Sequence, residues 1–220
     1  MELTAVEIRV LGALMEKDRT TPDSYPLTTN ALVSACNQKS SREPVMALTA
    51  TEVDAAMLSL REHGLARTVR GDGHRSFKHR HVADEAWRLD DGELACLAVI
   101  MLRGPQSPGE LRTRTERYVS FGDNEMAEAA LRRLADRPEP LVRNVGRAPG
   151  QSQDRWMHLV GDGAPVAKVA PSAPASTPPA AESVPVAPDA GHAPPVDLAA
   201  EVAELRTLVE RLYAELGIDL

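Results

Sequence analysis

Apolar residues recur at helical spacing near the start of the chain. Leu3, Val6, Val10 and Leu14 predict one helix with an apolar face. Thr4 with Glu7 three positions later has the capping-box pattern, in which two side chains satisfy amides that the first helical turn leaves open. A loop reading TTPDSYP follows, then a short helix over about residues 29–38. Thr49 with Glu52 is a second capping box. It opens a helix striped by Val53, Met57 and Leu60 and stopped at Gly64. The periodicity then changes. LARTVR and RSFKHRHV flank the Gly- and Asp-containing turn GDGH, which predicts a β-hairpin.

The same order returns further along. Residues 92–103 are apolar nearly all round, so this helix should be buried on most sides. Ser107-Pro108 starts a short helix, with Pro in the first turn where a missing amide costs nothing. A longer helix over residues 123–136 carries Met126, Ala130 and Leu134 on one face. PLVRNV and DRWMHLV then flank GRAPGQSQ as a second hairpin. Helix, helix, helix, hairpin is the order of a winged helix. The fold class expected is therefore mainly α with small β-hairpins (α+β). Two tandem winged-helix domains span residues 1–88 and 89–161.

The remainder has a different composition. Residues 162–196 are dominated by Pro, Ala, Val and Ser, and this stretch with Gly161 holds nine of the chain's 17 prolines. Prolines withhold backbone donors and favour extended neighbours, so a disordered Pro/Ala-rich linker is expected. Residues 197–220 should form a C-terminal amphipathic or coiled-coil helix. Leu198, Val202, Leu205, Val209, Leu212 and Leu216 are spaced alternately by four and three. With Val202, Val209 and Leu216 at one core position and the leucines at the other, the pattern suits parallel pairing and a homodimer. Fewer than three heptads leave two alternatives open: docking onto the same chain, or no stable structure alone.

Charge changes the picture only once it is divided. The chain carries -7 overall, but residues 1–88 are neutral, residues 89–160 carry -1 and residues 161–220 carry -6. A nucleic-acid contact would therefore need a local basic patch. The first hairpin supplies one. Arg67, Arg70, His74, Arg75, Lys78, His79, Arg80 and His81 lie within it, opposed only by Asp72. A basic wing can lie along phosphates. The alternative is a hairpin that uses charge to keep its edge from aggregating. The helix before it is less suited to DNA, because Glu52, Asp54 and Glu62 would meet phosphates with the wrong sign. In the second copy Asp123, Glu125 and Glu128 come first, and Arg132, Arg133 and Arg137 later.

ACNQKSSREP, residues 35–44, is the most unusual local sequence. Asn37, Gln38, Lys39 and Arg42 could grip a phosphate or a partner's backbone. Equally, Asn37 could cap a helix and Lys39 face its carboxyl end. His79 and His81 share a strand face near His74, but no cysteine is close and the spacing fits no standard zinc pattern. Solvated hairpin histidines are the expectation, with no metal. His63 and His158 read as structural. Cys36 and Cys96 sit in apolar helical contexts and read as buried free thiols rather than a disulfide. The start lacks a basic segment leading into an apolar one, and the longest apolar run, residues 94–102, is too short to span a bilayer. A cytoplasmic protein without a membrane contact is expected.

Phosphate-cradling, dinucleotide-binding, zinc-protease and nucleophile-elbow motifs are all missing, so neither enzyme activity nor a cofactor is expected. TTPDSYPLTTNALVSACNQKSSREPVM (residues 20–46), GPQSPGELRTR (residues 104–114) and RWMHLV (residues 155–160) closely resemble blocks of the YceH family of bacterial proteins. The resemblance covers about residues 3–160. It implies the tandem winged-helix fold, in a largely uncharacterised family with no catalytic residues to transfer. Two functions remain in view: a DNA-associated, transcription-regulator-like protein reaching double-stranded DNA through the first wing, or an adaptor that binds a protein partner instead.

Overall fold

Side-chain caps set where the helices begin. Thr4 accepts from the Glu7 amide while the Glu7 carboxylate accepts from the Thr4 amide at 2.6 Å, and α1 (Ala5–Thr20) starts there. A single 3-10 turn (Pro22–Ser24) and the two-residue strand β1 (Leu27–Thr28) follow. Thr28 caps α2 (Thr29–Cys36). The Thr49–Glu52 capping box opens α3 (Ala50–Glu62) as expected. Gly64, at φ 71°, turns the chain out of α3 into β2 (Ala66–Arg70), which returns as β3 (Phe77–His81). The short helix α4 (Ala83–Trp87) leads to the second run: α5 (Asp91–Arg103), α6 (Pro108–Arg114), α7 (Asn124–Ala135), β4 (Val142–Gly146) and β5 (Arg155–His158). Two further capping boxes, Asp90 with Glu93 and Ser107 with Glu110, start α5 and α6.

The computed structural model describes residues 2–70, 77–147 and 150–161, all within one unit of the chain. His74, Arg75, the linker at residues 162–196 and the heptad positions Leu198 to Leu216 lie outside the described residues. The described chain is mixed α/β, with seven α-helices and two small antiparallel sheets. The order of three helices and a hairpin occurs twice: α1, α2, α3, β2–β3, then α5, α6, α7, β4–β5.

The sheets have matching plans. In the first, β1 pairs with β3 and β3 with β2, so β3 is central. In the second, β4 pairs with β5, and Gln106, just before α6, makes an isolated antiparallel bridge to Trp156. Gln106 and Trp156 exchange both backbone hydrogen bonds, at 2.9 and 2.8 Å. Each copy thus places an extended residue ahead of its second helix against the returning strand of its hairpin.

One core runs through both copies. Leu94 to Leu102 are all buried, as the all-round apolar pattern of α5 predicts. Helix α1 is buried on more sides than its single apolar face suggests, from Glu7 to Glu16. The reason is that α5 packs against its other side. Gly12 makes the contact possible: a methyl group there would sit 3.0 Å from the Leu102 side chain. Leu3 closes the unit by donating its amide to the Val160 carbonyl at 2.8 Å.

Candidate functional site

The alternation of the first hairpin sorts its charges. Ala66 stands opposite His81 and Thr68 opposite His79, and these pairs face the helices. Arg67 stands opposite Arg80, and Val69 opposite Lys78, on the outer side. Arg67 and Arg80 share Glu85, at 3.4 and 3.1 Å. Because one carboxylate answers two guanidinium groups, net positive charge remains. Arg70, exposed at the end of β2, lies 5.5 Å over the Phe77 ring as a cation–π contact. Four of the five basic residues proposed for this hairpin are therefore on one described structure; Arg75 lies outside it.

The histidines correct the expectation of solvated side chains. His79 and His81 are buried, with 6% and 4% of their surface exposed. The physical reason is that His79 and His81 share the β3 face on which α1 and α2 pack, where they meet Thr29, Asp18 and Tyr25. The His79 ring nitrogens meet the Thr29 hydroxyl at 3.0 Å and the Thr68 hydroxyl at 3.2 Å. Burial holds this imidazole below its ordinary pKa, so it is the neutral form that bridges the two threonines. The His81 amide donates to the Tyr25 hydroxyl at 2.7 Å, and its ring lies between Asp18 and Asp84. Among the described residues no three His, Cys, Asp or Glu side chains converge as a metal set.

The segment at residues 35–44 divides into interior and surface roles. The Arg42 side chain is fully buried and forks onto the Glu16 carboxylate. It also donates to the Ala35 carbonyl from two nitrogens, at 3.0 and 2.8 Å. Arg9 approaches the same segment from α1 and donates to the Cys36 and Pro44 carbonyls, at 3.2 and 2.6 Å. Asn37 grips Leu48 as a strand partner would, donating to its carbonyl and accepting from its amide, both at 2.8 Å. Arg42 and Asn37 thus hold the loop's shape and present nothing outward. Gln38 and Lys39 line a cleft facing α5 and α6. Arg9 and Glu16 were missed by sequence reasoning; charged residues inside the apolar spacing of α1 were the available signal.

The exposed face of α3 carries Thr51, Glu52, Asp54, Leu58, Arg61 and Glu62. That of α7 carries Glu125, Met126, Arg132 and Arg133, and each arginine is paired: Arg132 with Glu128, and Arg133 with Asp90 and Glu93. Cys36 and Cys96 are buried free thiols, and burial pushes both up to about 12. Neither is a thiolate near neutral pH. No helix among the described residues is long and apolar enough to cross a membrane.

Residues 3–151 match a family described as "Protein of unknown function, DUF480". The chain is similar to a UPF0502 protein of Geobacter metallireducens, 49% identical over 166 residues, which covers 76% of this chain and 75% of that protein. It is also similar to UPF0502 proteins of Burkholderia cenocepacia, 41% identical over 99% of this chain and 91% of the relative, and of Delftia acidovorans, 42% identical over 99% and 93%.

Proposed function

Because the chain belongs to the DUF480 family, described only as of unknown function, we propose from its geometry that it is a non-enzymatic, DNA-associated binding protein. In this reading the two runs of three helices and a hairpin are tandem winged helices, which agrees with the resemblance to the YceH family. The observation that carries the proposal is the outer face of β2–β3, where Arg67, Lys78 and Arg80 cluster and Glu85 answers only the two arginines. Phosphates attract such a face without reading sequence. The α3 surface, which would enter the major groove in the usual docking, is acidic. Contact is therefore led by the wing and is weakly sequence-specific.

Fluorescence anisotropy of a labelled duplex tests this reading. Arg67→Ala with Lys78→Ala should weaken binding by about tenfold, the equivalent of roughly 1.4 kcal/mol. Unchanged affinity would remove the wing from the account. The heptad pattern at Leu198, Val202, Leu205, Val209, Leu212 and Leu216 supports pairing of two chains, which would present two wings to one duplex. Light scattering of full-length protein should show a dimer that Leu205→Asp with Leu212→Asp converts to a monomer.

A second reading, a protein-binding adaptor, is favoured by exposed apolar residues: Leu58 on α3 is 55% exposed, Val45 58% and Phe77 59%. Isolated exposed side chains of this kind are common on monomers. Leu58→Glu separates the readings, because it should abolish capture of a protein partner and leave wing-led duplex binding in place.

A further inference from the structure

A second concentration of positive charge lies where the two copies meet. A cleft of about 500 Å³ opens between the end of α1, the loop after α2, the end of α5 and the end of α6. Five cationic side chains line it: Lys17, Lys39, Arg103, Arg114 and Arg117. They come from both copies, so the site exists only when α1 and α5 are packed together.

The negative charge available to these cations is already committed. Glu16 is the one carboxylate lining the cleft. Arg42 forks onto it from the interior, the Tyr118 hydroxyl donates to it at 3.1 Å, and Lys17 lies 3.7 Å away. Arg114 lies 3.5 Å from Glu110, but that carboxylate also holds Arg155 at 2.9 Å and the Ser107 amide at 2.8 Å. Among the described residues, Lys39, Arg103 and Arg117 have no carboxylate partner. Arg103 is instead positioned by the Ser41 hydroxyl, which accepts from its guanidinium. Burial first, and the charge of Arg114 next, bring Arg103 below the ordinary guanidinium pKa.

Such a recess is relieved by an anion. Guanidinium groups fork onto phosphate oxygens, and lysine ammonium adds a mobile point charge. The hydroxyls of Ser40 and Ser41, also in the lining, add neutral donors that a bare counter-ion would not need. We propose that this seam cleft binds a phosphate-bearing anion, clamped between the two copies. The proposal does not rest on the wing. The same chemistry could be presented by a free polyphosphate or by the backbone of a duplex.

Calorimetry on the full chain distinguishes these sources, with pyrophosphate and a DNA duplex as separate probes in chloride buffer. Lys39→Ala with Arg117→Ala is the informative variant, because both residues are exposed; circular dichroism checks its fold. Saturable pyrophosphate binding that falls by at least about tenfold in this variant, and is unchanged in Arg67→Ala with Lys78→Ala, establishes the site for a free phosphate. Absent pyrophosphate binding with duplex affinity weakened by the Lys39 and Arg117 changes assigns the site to the nucleic-acid backbone. If neither probe's binding responds to those changes, or pyrophosphate binds the variant as it binds wild type, the proposal is wrong.

Discussion

Arg42 and Glu16 form a pair whose removal should show most clearly at the level of single residues. Breaking a buried pair from one side leaves the other charge without an answer, at about 3–5 kcal/mol. Arg42→Met should therefore lower the midpoint of urea unfolding strongly. Glu16→Leu added to it should recover part of the loss. The pH dependence has a definite sign. Burial opposes ionisation of Glu16, but the Arg42 hydrogen bond and charge outweigh it and hold the folded-state pKa below 4.5. Its contribution is present above that value and is lost as pH falls through the folded-state pKa. His158 acts higher. Burial lowers its pKa from 6.5 to about 4, so the unfolded chain takes up a proton that the fold refuses. Between those values stability falls with falling pH, by on the order of 3 kcal/mol in total. Thermal unfolding at pH 7 and pH 5 should show that His158→Leu loses less stability over that interval than wild type. Neither effect was legible beforehand. Arg42 reads as one more surface donor in a polar run, because its carboxylate partner is 26 residues away in the chain. His158 was legible only as structural, being a lone histidine.

Elements were readable where local chemistry dictates them. The Thr4 and Thr49 capping boxes follow from side chains that satisfy their own helix ends, the Gly64 stop from a backbone free to adopt φ 71°, and α7 from its apolar spacing at Ala130 and Leu134, although Met126, expected on that face, is exposed. Ser107 plays the same part for α6, accepting from the Glu110 amide while Glu110 accepts from the Ser107 amide. Ser107→Ala should cost about 1 kcal/mol, read as a lower melting temperature without loss of helical signal at ambient temperature. Strand β1 was not readable, since two residues hold no period. Nor was the burial of His79 and His81 readable, because strand alternation puts them on one face but does not say that α1 and α2 pack against it. Helix α4 also escaped, being five residues between a strand and a stronger helix.

Across the described unit, the packing of α1 against α5 joins two copies that the sequence presents as a repeat. Periodicity locates apolar faces but does not say which faces meet, so the seam, its Gly12 contact and its cleft appear only in three dimensions. A shared core predicts that both copies unfold together. Urea transitions followed by circular dichroism and by tryptophan fluorescence should coincide, with Trp87 reporting near the junction and Trp156 from β5. Gly12→Val should wedge the seam open and destabilise both probes by about 1–3 kcal/mol. The central functional claim, phosphate contact led by the first wing, is tested most directly by duplex affinity as a function of salt. Each phosphate neutralised contributes a slope of about -0.9 in log affinity against log salt. The full chain should show a slope of roughly -3, reduced by about two when Arg67 and Lys78 are replaced by alanine. A slope near zero, or one those replacements leave unchanged, would contradict it.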